Sequence, residues 1–151
     1  MLKRLMRTQF DAGMLLLRVG LGLVVFPHGA QKALGLFGGP GFNATVASFE
    51  QNYGIPAVVT GLVIAAEFLG AVGLVLGFFG RVAALGIAVV MVGTIQMFYL
   101  KPGFLTNWFS MQEQGHPLEF RILVLAAALV ILIKGSGALS FDRMLGKTSE
   151  R

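Results

Sequence analysis

Cysteine is missing altogether. Its absence excludes a disulfide, a thiolate-held iron–sulfur cluster and a CxxC thiol relay built from the chain's own residues. Charge is scarce: 13% of the 151 residues are Asp, Glu, Lys or Arg, where a soluble domain carries about 25%. Histidine occurs twice, as His28 and His116. Two imidazoles without a thiolate make a poor tetrahedral zinc site, and His116 falls in a connection, so no metal site is expected. The glycine-rich run Gly38, Gly39, Pro40, Gly41 does not join a strand to a helix. A phosphate-binding loop, a dinucleotide fingerprint and a hydrolase elbow are therefore also excluded.

In place of charge there is apolar bulk, with 56% hydrophobic residues and a mean hydropathy of +0.79. Lipid must be the main solvent of such a chain, and the predicted class is an all-α integral membrane four-helix bundle. Apolar stretches at about 12–36, 56–79, 82–100 and 117–134 are each long enough to span a bilayer, and they fill a single transmembrane domain over residues 1–151. The basic start, residues 1–10, resembles a signal peptide, but the apolar stretch after it is too long and lacks a small-residue cleavage site. It is expected to stay as the first helix.

The net charge of +5 would suggest nucleic acid in a soluble protein. Here the excess sits in Lys3, Arg4, Arg7, Arg143, Lys147 and Arg151, beside apolar spans, so it sets membrane orientation and no nucleic-acid partner is expected. The N-terminus, the Arg81 turn and the tail from Lys134 hold most basic residues, whereas the two longer connections hold only Lys101. Both termini are accordingly predicted to be cytoplasmic. Residues 42–55 read as a loop carrying Glu50, and Phe104, Trp108 and Phe109 suit a segment lying at the lipid interface. Gly20, Gly22, Gly61, Gly70, Gly73 and Gly77, with Ala65, Ala66, Ala83 and Ala84, allow close helix contact.

A charged side chain within a bilayer costs about 2.5–3.5 kcal/mol on insertion scales, so such residues tend to face the bundle interior and to pair or to work. His28, Gln31 and Lys32 share one face of the first span by their spacing. At about 1.5 Å per residue, His28 stands about 24 Å above the cytoplasmic start, Glu67 about 16 Å below the outer start of the second span, and Gln96 about 22 Å above Arg81. Glu119 and Arg121 open the fourth span. Each span thus brings polar groups to the outer half of the bundle, where a polar pocket is expected. Candidate pairings are Lys32 or Arg121 with Glu67 or Glu119, and Arg18 with Glu67 if the helices tilt. Against these stand plainer readings: Arg18, Lys32, Glu119 and Arg121 as interfacial cations and acids, His28 as a packing residue, and Glu67 as half of a structural ion pair.

Several of these residues in order resemble the DoxX family of four-helix bacterial membrane proteins. They are Arg18, Gly22, Phe26, His28, Gly29 and Lys32, then Glu67, Gly70, Gly73, Gly77, Arg81, Ala83 and Ala84, and the closing run Gly135, Ser136, Gly137, Ala138, Leu139, Ser140, Phe141, Asp142. The resemblance covers about residues 12–145. It implies a multi-pass protein of the bacterial inner membrane and an oxidoreductase component linked to quinone-coupled sulfur oxidation or to thiol stress. The family's polar signature falls on Arg18, His28, Lys32, Glu67 and Arg81; Gln96 and Glu119 come from the reading of the residues alone. The family also resembles, in topology, membrane thiol oxidoreductases with paired cysteines, which this chain lacks.

The leading expectation is a quinone-binding oxidoreductase subunit. His28, Gln31, Lys32 and Gln96 would contact the quinone, with catalysis resting on Glu67 and His28 and proton passage on Glu67. Arg18, Arg81, Glu119 and Arg121 would pair structurally. A haem with His28 as axial ligand is the weaker cofactor reading. Because the chain carries no electron carrier, a redox partner subunit is implied, and a second copy of the chain is a further partner to consider. Two rival functions remain from the sequence: a non-catalytic membrane scaffold or assembly factor, and a small-solute or proton-coupled transporter.

Overall fold

A computed structural model describes residues 11–98 and 118–148, and among these the structure is helical without strands. Helix α1 covers Ala12–Leu34, α2 Gly41–Tyr53, α3 Ala57–Leu76, α4 Gly80–Phe98, α5 Leu118–Lys134 and α6 Phe141–Thr148, with a 3-10 turn at Leu36–Gly38 between α1 and α2. The basic start with Lys3, Arg4 and Arg7, and the segment containing Lys101, Phe104, Trp108, Phe109 and His116, lie outside the described residues.

Local chemistry sets the helix ends. Asp11 caps α1, its carboxylate accepting from the Met14 N–H at 3.1 Å. α1 stops at Gly35, whose φ of 71° lets the backbone reverse and return its N–H to the Gln31 carbonyl. Pro27 lies inside α1 without ending it. Pro56 precedes α3 in extended conformation, and Gly77 ends α3 at φ 67°. The turn from Gly77 to Gly80 is so short that α3 and α4 must run antiparallel.

Residues 42–55, expected as a loop, instead carry α2, which packs on α1 and α3. Its sequence mixes Asn43, Thr45, Ser48, Glu50 and Asn52 with Phe42, Phe49 and Tyr53. That is too polar for a span and too short for a strong apolar period, yet it suits a helix resting against the ends of others. Thr45 is its buried residue.

The core is drawn from all four long helices: Leu21 and Val25 of α1, Ala71 and Leu74 of α3, Ala84 and Ile87 of α4, and Val124, Ala128 and Ile131 of α5. The outside is as apolar as the inside, with Leu16, Val58 and Ile133 each 75% exposed. An exterior of this kind requires lipid rather than water. Ala12–Leu34, Ala57–Leu76 and Gly80–Met97 are long and apolar enough to cross a membrane; α5 has 17 residues.

α1 and α3 approach each other closely where they cross. A methyl group on Gly22 would stand 2.9 Å from the Ala71 carbonyl oxygen, and one on Gly29 would stand 2.5 Å from the Phe68 nitrogen. Higher numbers on α1 meet lower numbers on α3, so the pair is antiparallel with touching backbones.

Candidate functional site

Two polar centres occupy opposite ends of the α1–α3 pair. The first is Arg18, 1% exposed. One of its terminal nitrogens donates to the carbonyls of Leu74 and Val75, both at 2.7 Å, and the other to those of Ala138 and Leu139, at 3.2 and 2.7 Å. Leu74 and Val75 lie in the last turn of α3, where carbonyls lose their i+4 partners and the helix dipole favours a cation. Arg18 therefore ties α1, the end of α3 and the segment before α6 into one unit.

Asp142 completes that unit. Its carboxylate accepts from the N–H groups of Phe79 at 2.8 Å and Gly80 at 3.0 Å, capping α4, and from the Ser136 hydroxyl at 2.5 Å. The Asp142 N–H donates to the Gly77 carbonyl at 3.0 Å, and the Ala138 N–H to that of Asp11 at 3.1 Å. The run Gly135 to Asp142 is thus a closing clasp that joins the start of α1 to the α3–α4 turn. Its signal in sequence was the density of Gly and Ser after Lys134, but no spacing rule shows that Asp142 will cap a helix 62 residues away.

The second centre is an ion pair: Lys32 Nζ lies 2.5 Å from Glu67 Oε2, with side-chain exposures of 26% and 6%. Lys32 sits in the last turn of α1, and Glu67 lies midway along α3. They meet because side chains lean toward the N-terminus of their own helix. In an antiparallel pair that leans Lys32 back and Glu67 forward, each toward the other. Gly29 sets the distance, since its contact with the Glu67 and Phe68 backbone leaves no room for a side chain between the helices.

Aromatic rings flank this pair. Phe26 and Phe68 pack with centroids 5.7 Å apart, and His28 meets Phe120 of α5 edge-on at 6.3 Å. His28, one turn before Lys32, is half-buried. The Gln31 amide donates to the Phe37 carbonyl at 3.3 Å, securing the turn after α1. Glu119 is exposed and Arg121 half-buried, both in the first turns of α5 beside Phe120. Gln96 is exposed on α4. Arg81 is at the clasp end, where its guanidinium donates to the Ile133 carbonyl at 3.1 Å.

Lys32, Glu67, His28 and Phe120 are thereby gathered at one end, while Arg18 and Arg81 belong to the other. The arrangement offers a cationic donor beside a buried carboxylate, with an imidazole and three phenyl rings nearby. Such a set can hold a planar carbonyl compound and shelter a proton. Among the described residues no three His, Asp or Glu side chains are grouped as metal ligands would be.

Comparison with known proteins gives two findings. The model of the DoxX family matches residues 13–100. A protein of Bacillus subtilis (strain 168) named "Putative oxidoreductase CatD" is 28% identical over 142 residues, which is 94% of this chain and 93% of the relative. No solved structure matches the chain.

Proposed function

The chain belongs to the DoxX family of multi-pass membrane proteins, and from that membership and the Lys32–Glu67 pair we propose that it is the membrane component of an oxidoreductase that holds a quinone-like ring. The proposed setting is the bacterial inner membrane, crossed four times by α1, α3, α4 and α5, with both termini cytoplasmic. The ring would lie beside Lys32, between the aromatic groups of Phe26, Phe68 and Phe120. The related protein's name supports an oxidoreductase role, and the donor set fits the chemistry of a quinone carbonyl.

The observation that carries this reading is the ion pair, 2.5 Å long and barely open to solvent on the Glu67 side. Lys32 would donate a hydrogen bond to the carbonyl oxygen, and His28 a second. Glu67 would balance the ammonium charge and relay, one after the other, the two protons that accompany reduction. A bound quinone would supply two-electron, two-proton redox chemistry. The electrons would come from a flavin or metal centre of a partner subunit, because this cysteine-free chain has no thiolate to hold one.

The test is titration of a short-chain quinone into the protein in mild detergent, together with mass analysis of an organic extract. Wild type should bind, and Glu67→Gln and Lys32→Met should each weaken binding about tenfold, the effect of roughly one charge-assisted hydrogen bond. Equal binding by correctly folded variants would remove the quinone site and favour the scaffold reading.

A further inference from the structure

The final helix carries features that neither the core nor the proposed quinone site uses. α6 is short and strongly two-sided. By helical register Phe141, Met144 and Leu145 form one stripe, and Arg143 falls on the opposite face. Asp142 points a third way and is buried. Through Asp142 the helix is fixed to the α3–α4 turn, so its two other faces are presented at a set place at the end of the bundle.

The apolar stripe faces outward. Phe141 is 48% exposed, Met144 66% and Leu145 46%. Leu139, just before α6, is 79% exposed and held at φ 47°, a conformation that leucine adopts only at a cost. Its carbonyl serves Arg18, but its side chain does nothing for the interior. A glycine would meet the backbone need without strain, so the leucine needs an outside contact.

That contact is set by position and charge. This end holds the start of α1, the α3–α4 turn and the end of α5, so the exposed stripe lies where the hydrocarbon stops. Arg81, Lys134 and Arg143 are on the same end. Among the described residues its acids, Asp11 and Asp142, are engaged in capping helices. Apolar side chains beside basic ones match the boundary of an anionic leaflet.

We propose that α6, Leu139 and Lys134 form an interfacial anchor for anionic phospholipid: Leu139, Phe141, Met144 and Leu145 enter the acyl region, and Arg143 and Lys134 bind headgroup phosphates. The anchor is independent of the quinone site, which lies at the other end of α1. It fixes the depth of the clasp, and with it the Arg18 and Asp142 contacts.

The test is thermal unfolding of the full chain in dodecyl maltoside with added phosphatidylglycerol, phosphatidylcholine or inorganic phosphate. Phosphatidylglycerol should raise the midpoint by several degrees, and the other two should not. Arg143→Gln with Lys134→Gln should lose more than half of that rise while unfolding normally without lipid. Leu139→Gly should also reduce the rise, and because it relieves the strained φ it keeps the protein folded if the basic variant does not accumulate. A rise as large with phosphatidylcholine, a rise from phosphate alone, or an undiminished rise in both variants would overturn the anchor.

Discussion

At the scale of single residues, the two cations of α1, buried Arg18 and half-buried Lys32, solve the same problem in different ways. Lys32 finds a carboxylate, whereas Arg18 finds four carbonyl oxygens. A guanidinium suits the second task because its planar fork directs several N–H groups at once. Replacing Arg18 with Met leaves those carbonyls without their donor and should cost about 3–5 kcal/mol. Arg18→Lys should recover less than half of that, because one ammonium cannot span both helix α3 and the clasp. Unfolding in mixed detergent micelles would measure both, and a loss below about 1 kcal/mol for Arg18→Met would show that water or lipid replaces the guanidinium. The sequence narrowed Glu67 to a few partners, Lys32 among them, because mid-membrane carboxylates need cations. It could not give Arg18's partners: every residue has a carbonyl, and only the folded path of residues 135–142 decides which are near.

At the scale of elements, turn chemistry places helix ends where hydropathy alone does not. The second apolar stretch ends its helix, α3, at Leu76 rather than near 79, since Gly77 takes the left-handed conformation, and the third begins earlier, at Gly80, since Asp142 caps it. The shorter elements were less legible. α2 and α6 owe their place to packing and to anchoring contacts, and neither has enough apolar residues to announce itself. Glycines also look alike in sequence while differing in what surrounds them. A methyl group added at Gly20 would have nothing within 4 Å, whereas one at Gly29 would meet the Phe68 backbone at 2.5 Å. Gly20→Ala should be neutral or stabilise by up to about 1 kcal/mol through helix propensity. Gly29→Ala should force α1 and α3 apart and destabilise by roughly 2–3 kcal/mol. The same displacement lengthens the Lys32–Glu67 contact, so quinone affinity should fall with Gly29→Ala and not with Gly20→Ala. Parallel unfolding and binding titrations separate the two, and equal behaviour would mean that the helices slide freely.

At the scale of the whole molecule, the chain closes on itself. Asp11, before the first described helix, bonds to Ala138, and Asp142 caps a helix in the middle of the sequence. That closure puts the start of α1 and the end of α5 at the same end of the bundle, which is what an even number of crossings requires. The proposed four-span topology then has a sharp consequence. Gln51 on α2 and Lys134 at the end of α5 are both exposed, and α3, α4 and α5 lie between them. Three crossings put them on opposite sides of the membrane; if α5 did not cross, the two crossings of α3 and α4 would leave them on the same side. The chain has no cysteine of its own, so Gln51→Cys and Lys134→Cys each provide one unambiguous label. An impermeant maleimide should mark Gln51→Cys in intact spheroplasts and Lys134→Cys only after the membrane is opened, as the basic residues at the clasp end predict. The reverse pattern would keep four spans and invert the orientation. Labelling of both from one side would reduce the count to three and return α5 to the role of a helix packed on α4 without crossing.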